Sequence, residues 1–334
     1  MEQAIRERFN QQILAETAVR YGVSPDQIEK IGGFESFMFS FERDGRPLIL
    51  RLAHSKRRTA NLIRGEVDWI NTLAAGGAGV ARAVMSANGE LVEAIDDGLG
   101  GQFLATAFVK APGGMAFQLE KWDERLFAQY GRLLGRIHHL TQSYQPANPA
   151  WRRPSWDDPI MRIDNWLPAD QPIIRQRAES LIGYLQALPQ EPDGFGLIHQ
   201  DAHAGNFFVD EDYHITLFDF DDCAYGHFIY DLAMVIFYAI TNRPDAAEFG
   251  PHFFHHFMSG YRQENQLDPK WFAEIPHFLK LREIDLYAVI HRSFDLEQLD
   301  SSPWVAAFMD GRRQKLADDV PYVAMDFSQS ESES

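Results

Sequence analysis

GLIHQDAHAGNFFVDEDYHITLFDFDDCAYGHFIYDL, residues Gly196 to Leu232, is the stretch whose reading decides the fold. Its first polar cluster, His199-Gln200-Asp201-Ala202-His203-Ala204-Gly205-Asn206, follows the apolar pair Leu197-Ile198. Its second is Asp219-Phe220-Asp221-Asp222. Between them Phe207-Phe208-Val209 reads as a strand, Asp210-Glu211-Asp212 as a turn and His214 to Phe218 as a returning strand. A hairpin brings both clusters to one end, so their carboxylates converge. Flanked by Phe218 and Phe220, those carboxylates are expected to be partly buried, and an uncompensated buried carboxylate costs on the order of several kcal/mol. A cation is therefore expected. Oxygen donors with an Asn carbonyl and no thiolate pair suit a hard ion such as Mg²⁺.

The spacing H-x-D-x-x-x-x-N, followed by D-F on the next strand pair, matches the constellation with which kinases hold metal and substrate hydroxyl. The motifs HQDAHAGN, DFDD and Asp231-Leu232-Ala233 occur in order. They resemble the H-G-D-x-H-x-x-N, D-[FW]-[DE] and D-L-A motifs of the aminoglycoside phosphotransferase/choline kinase family, the small-molecule branch of the protein-kinase-like fold. Gln200 stands where that family usually has Gly. The resemblance implies an α+β, two-lobed architecture. Residues 1–109 form an N-terminal lobe with an antiparallel sheet and helices, residues 110–325 a mainly helical catalytic lobe, and residues 326–334 a disordered acidic tail. It further implies that Asp201 accepts the substrate hydroxyl proton and that Asn206 and Asp219 bind Mg²⁺ with Asp221 assisting. His199 and His203 brace the loop and Asp231 ties back to it. ATP or GTP is the implied co-substrate.

Upstream, residues 4 to 21 carry Ile5, Phe9 and Ile13 at helical spacing. Strands begin near Ile28, Asp44-Gly45 is a hairpin turn, and Pro47 to Leu52 returns. A helix over 59–74 has Ile63, Val67, Ile70 and Leu73 as its stripe, with Glu66 beside it. Strands are expected around 81–85, 91–95 and 102–109, before the breaker cluster Lys110 to Gly114. By resemblance, Gly33 and Ser36 lie in the cover over the nucleotide phosphates. Arg51, in Leu48-Ile49-Leu50-Arg51, takes the place of the phosphate-pairing Lys, and Glu66 holds it. Arg forks onto two oxygens where Lys is a point charge. Thr106, Ala107 and Val109 offer backbone groups to the adenine edge.

Downstream, a helix over 123–140 carries His138 on its apolar stripe, read as structural. Residues 144 to 172, rich in Pro, Trp and Asp, form either a site for an amine-bearing substrate or an irregular connection. A helix follows over 173–188, then an almost wholly apolar one over 228–241 in which Asp231 is the anomaly. Helices over 249–263 and 269–292 complete the pattern. The second carries Arg282, Glu283, Asp285, His291 and Arg292, facing substrate or paired at the surface.

A net charge of −17, from 31 Lys+Arg against 48 Asp+Glu, argues against nucleic acid and against an electrostatic membrane anchor. The single cysteine, Cys223, precludes an intramolecular disulfide. The charged start MEQAIRERFNQQ is no signal peptide and no long apolar run appears, so a cytoplasmic protein is expected. The reading is a Mg-dependent small-molecule kinase acting on a hydroxyl. Its alternatives are a Ser/Thr protein kinase, a nucleotide-binding scaffold, and a metallohydrolase. The last would use His199, Asp201 and His203, which share a face if the segment is extended. Too few residues separate Asp222 from Phe228 for a regulated activation loop, which favours the small-molecule acceptor.

Overall fold

Asn10 splits the expected N-terminal helix in two. Its side chain accepts from the backbone N–H groups of Gln12 and Ile13, an N-cap that starts a fresh helix after α1 (Gln3–Arg6). The computed structural model describes residues 2–162, 164–298 and 302–327, and the chain divides into two units.

The first unit takes Met1–Gly113, Tyr144–Arg153 and Thr216–Asp221. After α2 (Gln11–Arg20) come β1 (Glu29–Gly32), β2 (Phe37–Arg43) and β3 (Arg46–His54). Helix α3 (Ala60–Ala75) and strands β4 (Ala83–Val84), β5 (Glu93–Asp96) and β6 (Gln102–Val109) follow. The sheet is antiparallel in the order β1-β2-β3-β6-β4, with β5 also on β6. Asp44 and Gly45 both have positive φ, as a two-residue hairpin turn requires. The period-two pattern sends Phe37, Phe39, Phe41, Leu48, Leu50 and Leu52 inward, where they meet Ile13, Leu14 and Ala18 of α2. The segment ending in Asp219–Asp221 joins this unit through a parallel bridge: Ala81 N–H donates to Leu217 O at 2.8 Å and Leu217 N–H to Gly79 O at 2.9 Å.

The second unit takes Gly114–Ser143, Pro154–Ile215 and Asp222–Ser334. Its elements begin with α4 (Glu124–Thr141), α5 (Pro172–Gln186), β7 (Phe195–Ile198) and β8 (Phe207–Val209). The chain crosses between units within β9 (Ile215–Leu217), which pairs with β8 as the expected hairpin. Then come β10 (Ala224–His227), α6 (Phe228–Ile240), α7 (Ala246–Tyr261), α8 (Ile275–Ser293), α9 (Pro303–Met309) and α10 (Arg312–Ala317). Helices α4 and α7 touch backbone to backbone at reciprocal glycines. A Cβ on Gly131 would lie 1.8 Å from Phe257 O, and one on Gly260 1.8 Å from Ala128 O. The predicted tail over 326–334 falls largely outside the described residues. Phe327, its second residue, is buried against Phe254.

Candidate active site

In the second unit the loop His199–Asn206 leaves β7, which is clamped antiparallel to β10. Its backbone hangs on one carboxylate: Asp231, fully buried on α6, accepts from His199 N at 2.8 Å and Gln200 N at 2.7 Å. His138 Nε2 reaches the same carboxylate at 3.2 Å, and its Nδ1 lies 2.8 Å from Tyr261 OH. The ring is sandwiched on Phe228, 4.4 Å between centroids. A buried carboxylate with three such partners is compensated, which resolves the anomaly of an acid in an apolar helix.

Gln200 adopts φ +69. That is left-handed space, in which glycine is at ease and a side chain is strained, so the residue type expected from the resemblance answers a backbone need. The turn also overturns the extended reading of His199-x-Asp201-x-His203, since the three residues follow a loop rather than one strand face. His199 Nδ1 accepts from Asp201 N at 3.3 Å and His203 Nδ1 from Gly205 N at 2.9 Å, so both imidazoles brace the loop. Tyr130 of α4 donates its hydroxyl to Ala202 O from below.

Asp201 sits at the centre. Asn206 Nδ2 donates to its backbone O at 2.8 Å and to Oδ2 at 3.1 Å, and His203 Nε2 lies 3.5 Å from Oδ2. Oδ1 accepts from Arg282 Nη2 at 2.9 Å. Burial pushes the Asp201 pKa up, but Arg282 and then His203 outweigh it and hold it down at about 2. Arg282 also donates to Tyr238 OH at 2.5 Å and its guanidinium lies over the Tyr238 ring. One turn along α8, Asp285 accepts from Tyr230 OH at 3.2 Å, and burial raises its pKa to about 6. Sequence alone left Arg282 undecided between substrate and surface; its position on a helix beside Phe278, Leu279, Leu281 and Leu286 was the available signal.

In the first unit, Arg51 of β3 and Glu66 of α3 form a bidentate pair at 2.8 and 2.7 Å, both essentially buried. Burial opposes the Arg51 charge, yet Glu66, with help from Asp221 and Asp219, leaves its pKa raised. Asp221 accepts from Arg57, lies 3.9 Å from both Arg51 Nη1 and Arg58 Nε, and its backbone O accepts from Arg153 at 2.7 Å. Against the push of burial, those guanidiniums hold its pKa well below the usual carboxylate range. The cation sought for Asp221 is thus supplied by the protein's own arginines. Asp219 has φ +65, which turns the chain sharply before Phe220 packs edge-on against Trp69.

Gly33, at φ +120, closes the turn after β1; a Cβ there would lie 1.8 Å from Ser36 O. Thr106 faces Arg51 across the β3–β6 ladder and its buried Oγ1 lacks a hydrogen-bond partner. Ala107 is paired on both sides, to Leu50 and Val84, and Val109 N–H is spent on Arg82 O at 3.0 Å. These positions are committed to the sheet ladder.

In each unit, taken by itself, an oxygen donor suited to a hard cation is present. In the second unit Asn206, with Nδ2 spent on Asp201, has its Oδ1 to offer, and in the first unit Asp219 is a carboxylate.

An antiparallel sheet whose third strand carries a cation gripped by a helix carboxylate, and a helical unit bearing an H-x-D-x-x-x-x-N loop, define the class of protein-kinase-like phosphotransferases. The chain belongs to the phosphotransferase enzyme family, whose pattern matches residues 27–267. It is 39% identical over 323 residues to the amicoumacin kinase of Bacillus subtilis, covering 95% of each chain. A solved amicoumacin kinase in complex with AMP-PNP, Ca²⁺ and Ami superposes with a TM-score of 0.91 at 35% identity, covering 98% of this chain and 99% of that one. A microcompartment-associated aminopropanol kinase, 21% identical, shares the fold with a TM-score of 0.73 over 93% of this chain and 98% of its own. No helix among the described residues is long and apolar enough to cross a membrane.

Proposed function

We propose that this chain transfers the γ-phosphoryl group of ATP or GTP to a hydroxyl of a small, amine-bearing molecule in a Mg²⁺-dependent reaction. The observation that carries the reading is Asp201, ionised and held between Asn206 and Arg282 on a loop fixed by Asp231. With a pKa near 2 it is a weak base. It therefore accepts a hydrogen bond from the acceptor hydroxyl, aims the oxygen at phosphorus, and takes the proton late, as a loose transition state permits. Arg51, fixed by Glu66, pairs the nucleotide phosphates. The turn at Gly33–Ser36 covers them, and the end of β6 at Thr106, Ala107 and Val109 borders the base. Asn206 and Asp219 would hold Mg²⁺, which when bound neutralises charge on the phosphoryl oxygens. Asp221 gathers Arg51, Arg57 and Arg58 about itself.

Amicoumacin is the first acceptor to try, because the relative that carries its name spans 95% of this chain. The protein-kinase alternative is disfavoured by the connection after Asp222. Apart from Cys223, the residues leading to α6 are the strand β10, paired to β7, which leaves no activation loop.

The test is ADP release with amicoumacin, aminoglycosides, choline, ethanolamine and homoserine as acceptors, each with ATP or GTP. Asp201→Asn is expected to lower turnover roughly 10²–10⁴-fold while sparing nucleotide binding. Near-full turnover in that variant, or no Mg²⁺-dependent thermal shift with either nucleotide, would sink the reading.

A further inference from the structure

A second cluster of ligand-type side chains lies on the surface of the helical unit. Glu124 opens α4, and His252 and His256 stand one turn apart on α7. His252 Nε2 is 3.0 Å from Glu124 Oε1, and the two imidazole centroids are 4.7 Å apart. One ligand atom from each of the three residues falls within 4.8 Å of the others.

We propose that Glu124, His252 and His256 form a binding site for a first-row divalent transition metal of the zinc class, separate from the catalytic loop. Histidines at i and i+4 project from one helix face, so a single ion can take both imidazoles without distorting the backbone. Tetrahedral zinc with bonds of about 2.0–2.2 Å needs its ligand atoms roughly 3.3 Å apart. The Glu124–His252 separation already meets that, and small rotamer changes bring in His256.

The third ligand comes from a neighbouring helix, so its placement depends on how firmly the two helices are registered. The reciprocal glycine contacts at Gly131 and Gly260 lock that register, so the two helices that carry the ligands are placed before any ion arrives. Two imidazoles and one carboxylate favour zinc, nickel or copper over Mg²⁺, which prefers an all-oxygen shell. Catalytic Mg²⁺ therefore does not fill it. Three protein ligands leave a fourth position for water or an external donor.

The ion would fasten the first turn of α4 to the middle of α7, the two helices that support the catalytic loop, α4 through Tyr130 and His138 and α7 through Tyr261. A simple surface ion pair between Glu124 and a protonated His252 is the competing account, and it needs no second histidine.

The test is titration of the EDTA-stripped full chain with ZnCl₂ by calorimetry and thermal melting, in excess MgCl₂ so that hard-oxygen sites are occupied. One saturable equivalent of zinc and a rise in Tm are expected. H252A and H256A each weaken binding at least about tenfold, by the loss of one ligand, and abolish the rise. H255A, whose ring lies outside the triad, keeps both. These are surface positions, and unchanged circular dichroism confirms that each variant is folded. Absence of saturable zinc binding in the unsubstituted chain, or undiminished binding in H256A, overturns the proposal.

Discussion

Removing Glu66 is the sharpest test of how the first unit holds Arg51, the cation proposed to pair the nucleotide phosphates. Arg51 and Glu66 are 4% and 0% exposed, and two short charge-assisted hydrogen bonds join them. Truncating one member of a buried pair leaves the other charge uncompensated, at a cost of about 3–5 kcal/mol. Asp221, 3.9 Å from Arg51, recovers part of that, so Glu66→Ala belongs at the low end, about 3 kcal/mol. With a urea m-value of about 1–3 kcal/mol/M, the midpoint falls by roughly 1–3 M. Because the chain has two units, the transition is best followed by hydrogen exchange of the β3 amides. Arg51→Met with Glu66→Leu removes both charges and fills the space. It is expected to return to within about 1 kcal/mol of the starting stability, while the proposed phosphate pairing is not restored. A Glu66→Ala cost under about 1 kcal/mol would refute the argument, as would a double variant no better than the single one.

Gln200→Gly relieves a left-handed φ but frees the unfolded chain, a net gain on the order of 0.5 kcal/mol in thermal melts. A clear loss instead would show that the Gln200 side chain, bonded to Tyr230, matters more than the strain. For Asp285 burial lifts the folded pKa from 3.8 to about 6, so between those values the native state keeps a proton that the unfolded chain has released. Stability then falls as pH rises through that window, by up to about 3 kcal/mol, and is flat above it. Asp285→Asn removes the penalty, so its Tm advantage should grow from pH 4 to about 6.5; a pH-independent difference contradicts the assignment. Gly131→Ala forces α4 from α7 and should cost about 1–3 kcal/mol or more. Gly183→Ala, into open space on α5, should instead stabilise by about 0.5–1 kcal/mol. Equal melting temperatures for the two would argue against the glycine seam.

The motifs between Gly196 and Leu232 made the architecture legible because metal and hydroxyl chemistry demands fixed spacings. Helix stripes and the Asp44-Gly45 turn located most elements to within a few residues, since periodicity and turn conformation are local properties. What went unread depended mostly on partners distant in sequence, with the local cap at Asn10 as the exception. Asn10 interrupts a stripe that remains apolar on both sides, so periodicity passed over the cap. Strand β10 is short and exists because β7 lies beside it. The arginines around Asp221 come from residues 51, 57, 58 and 153, and nothing in the DFDD motif announces them. Arg282 meets Asp201 across 81 residues, a pairing that only packing of α8 creates.

The tie at Asp231 also bears on the order in which the enzyme is made. Its partners are the imidazole of residue 138 and the amides of residues 199 and 200, so the loop's backbone stays unsatisfied until residue 231 has been synthesised and α6 has docked. Closing contacts over such separations is slow relative to helix formation. Chains in which α4 has formed but α6 has not docked are therefore expected to lack a fixed His199–Asn206 loop and to be inactive. Recovery of phosphotransfer during refolding should lag the return of helical signal, with activity reporting the last step of assembly rather than the first.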